Sequence, residues 1–341
     1  MTRFKWFDQK LFNFFVKTNG VFTKPLYGGI GHIFMLHRVL PEPLRNQYSF
    51  NRDLAITPEH LEEIIVYLKR KNYCFVSLDD VHNMLINGKT VPQKFVCLTL
   101  DDGYRDNIEF GFPVFKKHNV PITIYVTNSF PNGTAHLWWY WLEEKVNLGK
   151  TFSYDGNSYS CNTEKERINT YNTLREKIKN MSYDQRMIVV RDFFKLTDDE
   201  IRERVQSIAL SWEELKQTSN EPLITIGAHT VNHLSLVHLT YEEASTEIIE
   251  SKRELEHILL QDINHFAYPY GGLEDATDRE WKITAQANFK TAVMNHPGNL
   301  FKNNDSSMMH LPRYPMGEKT TFELLNYHLN GITHYRTQKH L

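Results

Sequence analysis

Hydrophobic residues in this chain fall into short unbroken runs, separated by stretches with helical spacing. Residues 33–40, 73–76, 95–100, 120–126, 223–228, 263–268 and 291–294 are apolar runs of strand length. Short apolar runs bounded by turn signals suit strands covered on both faces. Between the first two, Leu61, Ile64, Ile65 and Leu68 form a helical stripe behind Thr57-Pro58-Glu59. There a threonine N-cap precedes proline at the first helical position. Ser77 with Asp80 caps a helix through Ile86, and helices are expected near 107–118 and 275–287. Thr240-x-x-Glu243 is a capping box that opens a long helix to about Leu260. Strand–helix alternation predicts right-handed crossovers and a parallel sheet, and the many apolar strands favour a closed or nearly closed barrel.

From about 136 to 221 the alternation stops. This block is rich in charge, and its strand signals are confined to 151–159. Thr197 with Glu200, and Ser211 with Glu214, are capping boxes flanked by hydrophobic staples. The block reads as a helical insertion between two barrel strands, serving as a lid, a substrate wall or scaffold. At the N-terminus Phe4, Phe7, Leu11, Phe14 and Phe15 recur at helical spacing with Lys5, Asp8, Gln9 and Lys10 between them. Such a segment suits a helix docked on the body or one lying in a membrane interface. The expected division is an amphipathic segment over 1–28 and a barrel over 29–335.

Composition narrows the function classes. With 39 basic and 41 acidic side chains the formal net charge is −2, which argues against phosphate-dominated nucleic-acid binding. Three scattered cysteines, Cys74, Cys97 and Cys161, form neither a disulfide framework nor a thiolate zinc site. There is no clean apolar core of a secretory signal and no uninterrupted spanning stretch. A cytoplasmic setting is expected, with peripheral contact to the inner face of the membrane through the N-terminal helix.

Three segments at the ends of expected strands carry chemistry. The first is Thr99-Leu100-Asp101-Asp102-Gly103, with two adjacent carboxylates directly after a buried strand. Such a pair is costly to bury unless neutralised. The second, His229-Thr230-Val231-Asn232-His233, holds histidines at i and i+4. On a helical turn these face one way, and with one carboxylate they suit a catalytic divalent metal. The third, Ala267-Tyr268-Pro269-Tyr270-Gly271-Gly272, is a rigid turn whose backbone N–H groups could meet an oxyanion.

In this order the segments closely resemble the motifs of the NodB-homology polysaccharide deacetylases, carbohydrate esterase family 4. The family's T-F-D-D-G differs here only at Leu100, H-S/T-x-N/D-H is matched in full, and R-x-P-Y/F-G lacks its arginine, which is Ala267. The resemblance spans about 30–315 and implies a distorted (β/α) barrel, often of seven strands. It implies Asp101 as catalytic base, Asp102, His229 and His233 as ligands of a divalent metal expected to be zinc, and the Tyr270 N–H as oxyanion donor. For the missing arginine, Arg313 in Leu311-Pro312-Arg313-Tyr314 is the first candidate and Arg105 the second. For the late histidine that the family uses as general acid, His296 comes first and His310 second. His37-Arg38 and the Trp138-Trp139 pair are similar to a cytosolic subgroup linked to cell-surface polysaccharide biosynthesis. His37 could line the site, and Trp138, Trp139 and Trp141 could stack on sugar faces.

The expected function is metal-dependent removal of N-acetyl groups from an amino sugar of a glycan or lipid-linked glycan precursor. An O-acetyl esterase or deformylase on the same scaffold, and an inactive carbohydrate-binding protein, are the alternatives.

Overall fold

The apolar runs become the strands of one parallel sheet. The structure is a computed structural model that describes residues 14–18, 20–87, 94–302 and 308–338. Most of the aromatic N-terminal stretch, residues 1–13, lies outside them. In chain order the strands are β1 (Gly31–Leu36), β2 (Arg38–Val39), β3 (Ala55–Ile56), β4 (Cys74–Phe75), β5 (Phe95–Leu100) and β6 (Ile122–Val126). Then come β7 (Phe152–Tyr154), β8 (Asn157–Tyr159), β9 (Ile224–Ala228), β10 (His265–Ala267), β11 (Thr291–Val293) and β12 (Tyr314–Pro315). The main sheet runs β11-β10-β9-β6-β5-β1-β12, with β4 beside the start of β5. Every residue of β1, β5 and β6 is buried, as continuous apolar runs require. The helices pack outside this sheet; Pro58–Arg70 lays Leu61, Ile64, Ile65 and Leu68 against it.

The two ends of the sheet approach each other through one piece of chain. Residues 308–311 hydrogen-bond along β11, with Val293 and Leu311 forming a parallel bridge. Three residues later the chain enters β12, which pairs with β1. The result is the nearly closed barrel expected from the alternation, in the distorted (β/α) form that the motif resemblance implies.

Two elements differ from the sequence pattern. The run 33–40 is not one strand: it breaks at His37, and β2 pairs with β3 in a separate ribbon. Asp106 takes the chain there, accepting from Val39 N at 2.8 Å and from Arg38 Nε at 2.9 Å. The helix expected over 107–118 begins as a π-turn, Asn107–Gly111, before the α-helix Phe112–Lys117. Pro113 has no N–H to give an α-helical bond, so the widened turn precedes it.

Between β6 and β9 lies a helical block with a core of its own. Its helices are Trp138–Asn147, Glu164–Lys179, Tyr183–Ile188, Asp198–Ile208 and Trp212–Thr218, with the β7–β8 hairpin beside them. Leu142, Val146, Leu174, Ile178 and Val205 are fully buried in that core. The boxes at Thr197 and Ser211 cap helices as expected, and further boxes cap at Thr163 and Ser182.

Several histidines outside the candidate site are buried. Burial pushes His32 down to about 3, against the pull of its hydrogen bond to Asn299, and pushes His136 and His328 down to about 4. In the unfolded chain these groups titrate near the ordinary value of ~6.5. Below it the unfolded state binds more protons, so their contribution to stability is complete above ~6.5 and is lost as pH falls towards about 4. The melting temperature should therefore fall steadily between pH 7 and pH 5, and His328→Gln should flatten that slope. A flat melting temperature across this window in the parent protein would contradict it.

Candidate active site

β5 delivers the two carboxylates. Asp101 N still bonds to Leu36 O of β1 at 2.9 Å. The next two residues are left-handed, Asp102 at φ 80° and Gly103 at φ 90°. Glycine takes this conformation freely and aspartate only at a cost. The turn lets the neighbouring carboxylates face different partners. Asp101 meets Arg313 in a two-pronged pair, Nη1 to Oδ1 at 2.7 Å and Nη2 to Oδ2 at 2.8 Å. Arg313 Nη1 also reaches Thr99 Oγ1 at 3.0 Å, and its Nε donates to Met294 O at 3.2 Å. Both partners are sealed from solvent, Arg313 at 0% and Asp101 at 2% exposure. Burial alone would push the Asp101 carboxyl up; the Arg313 guanidinium, with His229 behind it, outweighs this and holds it below the ordinary carboxylate range.

Asp102 has the opposite environment. Burial first, and the Asp101 charge second, push its carboxyl up to about 8. Its Oδ1 is buried without a hydrogen-bond partner. Facing that oxygen are His229 Nε2 at 3.5 Å and His233 Nε2 at 3.3 Å. The ligand atoms of these three residues lie within 4.8 Å of one another. Burial pushes His229 down to about 4 and His233 down as well, so both imidazoles are neutral. An orphaned carboxylate oxygen and two neutral ring nitrogens are the donor set of a divalent cation. These residues fit a metal and could hold one.

The histidine segment is not helical. It is a loop after β9, with Thr230 at φ 63° and His233 at φ 52°. That winding, rather than an i,i+4 helical face, brings the rings together with centroids 5.0 Å apart. His229 is fixed by donating Nδ1–H to Ala267 O at 2.7 Å, which leaves Nε2 free to ligate. His233 has no such partner at Nδ1. Its ring is held by packing, edge-on to Tyr270 at 4.8 Å and tilted on Trp139 at 5.6 Å. Asn232 anchors the loop through Glu247, whose carboxylate accepts from its backbone and side-chain nitrogens.

The third segment follows β10. Tyr270 is left-handed at φ 61°, and the neighbouring amide of Gly271 is tied to Pro269 O. A Cβ on Gly271 would sit 2.6 Å from Asn295 N, so the loop needs glycine there. Asp101, Asp102, His229, His233 and Tyr270 line one cavity of about 560 Å³. His37, Trp138 and Trp139 line it too. His37 lies in the fields of Asp101 and Arg313; burial lowers it, with Asp101 pulling the other way.

Other expected residues lie elsewhere. Arg105 is committed to Glu214, at 2.9 Å. His296 lies near Glu274 and His334 and is not among the described residues that line the cavity. His310 stacks on Trp281. Trp141 packs under Arg204. Sequence reasoning missed Arg186, Lys179 and Glu143 of the helical block. Buried Arg186 donates to His233 O at 2.7 Å and lies over the rings of Trp138 and Tyr270. Each occupies an ordinary charged position of an amphipathic helix, so no local signal separated it from a solvated one.

Residues 88–292 match the sequence profile of the polysaccharide deacetylase family. The chain belongs to the polysaccharide deacetylase family. It is a hydrolase of the class that acts on carbon–nitrogen bonds. A relative in Bacillus subtilis (strain 168), YxkH, which carries a provisional polysaccharide deacetylase name, is 20% identical over 278 residues, covering 82% of this chain and 72% of that protein. Among solved structures, Streptococcus pyogenes deacetylase PplD in complex with acetate matches with a TM-score of 0.58 at 19% identity, over 87% of this chain and 97% of that one. IcaB from Ammonifex degensii gives 0.57 at 17% identity, over 89% and 98%. A de-N-acetylase from Aggregatibacter actinomycetemcomitans gives 0.57 at 15% identity, over 87% and 99%. At these identities the structural matches establish the deacetylase fold.

The buried Asp101–Arg313 pair has a measurable consequence. Removing one partner of a buried pair leaves an uncompensated charge and typically costs about 3–5 kcal/mol. Arg313→Met should lower stability to urea by about that much, and the double variant Asp101→Asn/Arg313→Met should recover part of the loss. A cost under about 1 kcal/mol for Arg313→Met would show that Asp101 does not depend on it.

Proposed function

We propose that this protein is a metal-dependent deacetylase that removes N-acetyl groups from an amino sugar of a glycan or lipid-linked glycan precursor. The observation that carries the reading is the division of labour between two adjacent carboxylates. One is ionised by an arginine, and the other faces two neutral imidazoles with an oxygen left over.

Asp102, His229 and His233 would hold the ion, which when bound supplies Lewis-acid polarisation of the acyl oxygen and acidifies water. Asp101 takes the proton of the attacking water. Arg313 uses one lone pair on each Asp101 oxygen and leaves others to accept that proton. It also fixes the carboxylate plane. The backbone N–H of Tyr270 donates to the developing oxyanion, its direction set by the left-handed turn and by Gly271. His37, at the end of β1 and beside Asp101, hands a proton to the leaving nitrogen. It rests neutral, so it delivers the proton that Asp101 took from the attacking water and passed on to it, and it ends neutral again. His296 has no such placement. Trp138 and Trp139 offer flat apolar surface to a sugar ring.

Incubating the metal-loaded protein with acetylated amino-sugar glycans and following mass should show loss of one acetyl group's mass per reacted residue. Retention of the acetyl mass across N-acetylated substrates, with loss from O-acetylated ones, would replace the reading by an esterase. Asp101→Asn should keep its metal and lose about 10²–10⁴-fold in kcat, the usual worth of a positioned base. Asp102→Asn should instead lose metal on dialysis, because a charged ligand becomes neutral. Metal loss in the first variant and retention in the second would reverse the two roles.

A further inference from the structure

The mouth of the cavity is enclosed by contacts that join one loop to the next around the barrel. Starting just before β3, Asp53 pairs at the surface with Lys319 of the loop that follows β12. On its other side the same stretch is fastened to the helical block. Buried Glu143 accepts from the amides of Ser49 and Phe50 and, at 2.6 Å, from Asn51 Nδ2. Phe50 stacks on Tyr171 with centroids 4.3 Å apart. The block is then fastened to the far side of the barrel. Arg186 donates to His233 O of the loop after β9, and Lys179 pairs with Asp275 of the loop after β10 at 2.8 Å. Asn295 N bonds to Gly271 O at 2.7 Å, and Arg313 N bonds to His296 O at 3.1 Å, which returns the ring to β12.

These contacts join neighbouring loops around the mouth, and the buried ones tie the helical block to loops on both sides of the cavity. The reacting groups lie at its floor, with Asp101, Asp102 and His229 each at 4% exposure or less. The cavity, about 560 Å³, lies within the usual range for small-molecule sites, and an N-acetylhexosamine of about 15 non-hydrogen atoms fits within it.

We propose that the enzyme admits its acetylated sugar end-on, as a free saccharide of one or two residues or as the terminal residue of a chain, and excludes the interior residues of a polymer. The inference rests on the deacetylase reading above. An interior residue would need chain leaving the pocket in two directions, past loops that the buried Glu143, Arg186 and Lys179 contacts tie to the helical block.

The test uses N-acetylglucosamine oligomers of one to six residues, β-1,4- and β-1,6-linked, with the metal-loaded full chain. Acetate release is followed, and the deacetylated position is mapped by tandem mass spectrometry. Deacetylation confined to a terminal residue at every length is expected. Interior products from the hexamer at a rate comparable to terminal ones would overturn the proposal. Affinity gives a second measure, taken by calorimetry on Asp101→Asn. Dissociation constants should change less than about threefold from dimer to hexamer, whereas a gain of about tenfold or more would show further sugar subsites along an open groove and overturn it. Absence of acetate from every oligomer would count against the deacetylase reading. Flat binding would then still uphold the walled pocket, and rising binding would still reject it.

Discussion

Two carboxylates on consecutive residues, both buried, must be met by positive charge, and much of this structure follows from that constraint. Water is not available to screen them, and an unpaired buried charge costs several kcal/mol. The fold answers from two sides. Arg313 neutralises Asp101 from the loop before β12, a residue 212 positions away in sequence. At Asp102 burial and the Asp101 charge outweigh the Tyr104 hydrogen bond and the Arg38 and Arg313 charges, and the carboxyl rises to about 8. That second deficit is what suits the cluster to a divalent cation. Loss of Arg313 would leave Asp101 as well without its counter-charge.

Closure of the barrel is tied to the same pair. The stretch 308–313 runs along β11 before β12 pairs with β1, and Arg313 lies where that stretch crosses the barrel mouth. Its Nε and Nη1 also bind Met294 O, beyond β11, and Thr99 of β5. One side chain therefore ties strands from both ends of the sheet order to the reactive carboxylate. The helical block acts from the opposite side. Arg186, the buried residue of the short helix Tyr183–Ile188 in that block, holds the carbonyl of His233. Two guanidiniums from distant parts of the chain thus fix the two halves of the site, one on Asp101 and one on the His229–His233 loop.

What could be read from sequence divides along the same line. Continuous apolar strands, capping boxes and the three short motifs are local signals, and they gave the sheet, the helix starts and the residues of the Asp102–His229–His233 cluster. The left-handed winding of the His229–His233 loop was not legible, because i,i+4 spacing reads as a helix unless the backbone is known. Arg313 could be named only as one candidate beside Arg105. Both are arginines near strand ends, and the choice depends on which meets Glu214 and which meets Asp101. The break at His37 was hidden for a related reason. An apolar run of eight residues looks like one strand, and only Asp106, far along the chain, takes Val39 out of the sheet. His37, directly after β1, therefore lines the cavity, whereas His296 is not among the described residues that line it.

The backbone of the site shows what these tethers are for. Asp102, Thr230, His233 and Tyr270 all hold positive φ without being glycine. Each such residue costs of order 1–3 kcal/mol and persists only where the surroundings overdetermine it. The surroundings do so at every one. Thr127 N bonds to Asp102 O, and Thr230 Oγ1 accepts from His233 N. Arg186 and Glu247 hold the two ends of the His233 turn, and Asn295 clasps Gly271 beside Tyr270. In a parallel barrel the strands point side chains alternately into the core and out towards the helices. A side chain that must face along the axis, into the mouth, cannot be presented by extended backbone. A reversal immediately after the strand presents it, and the left-handed conformation is the shortest reversal available. The strain is thus a geometric consequence of placing these side chains at the strand ends, and the buried arginines, carboxylates and glycine around the mouth are what keep those reversals in place.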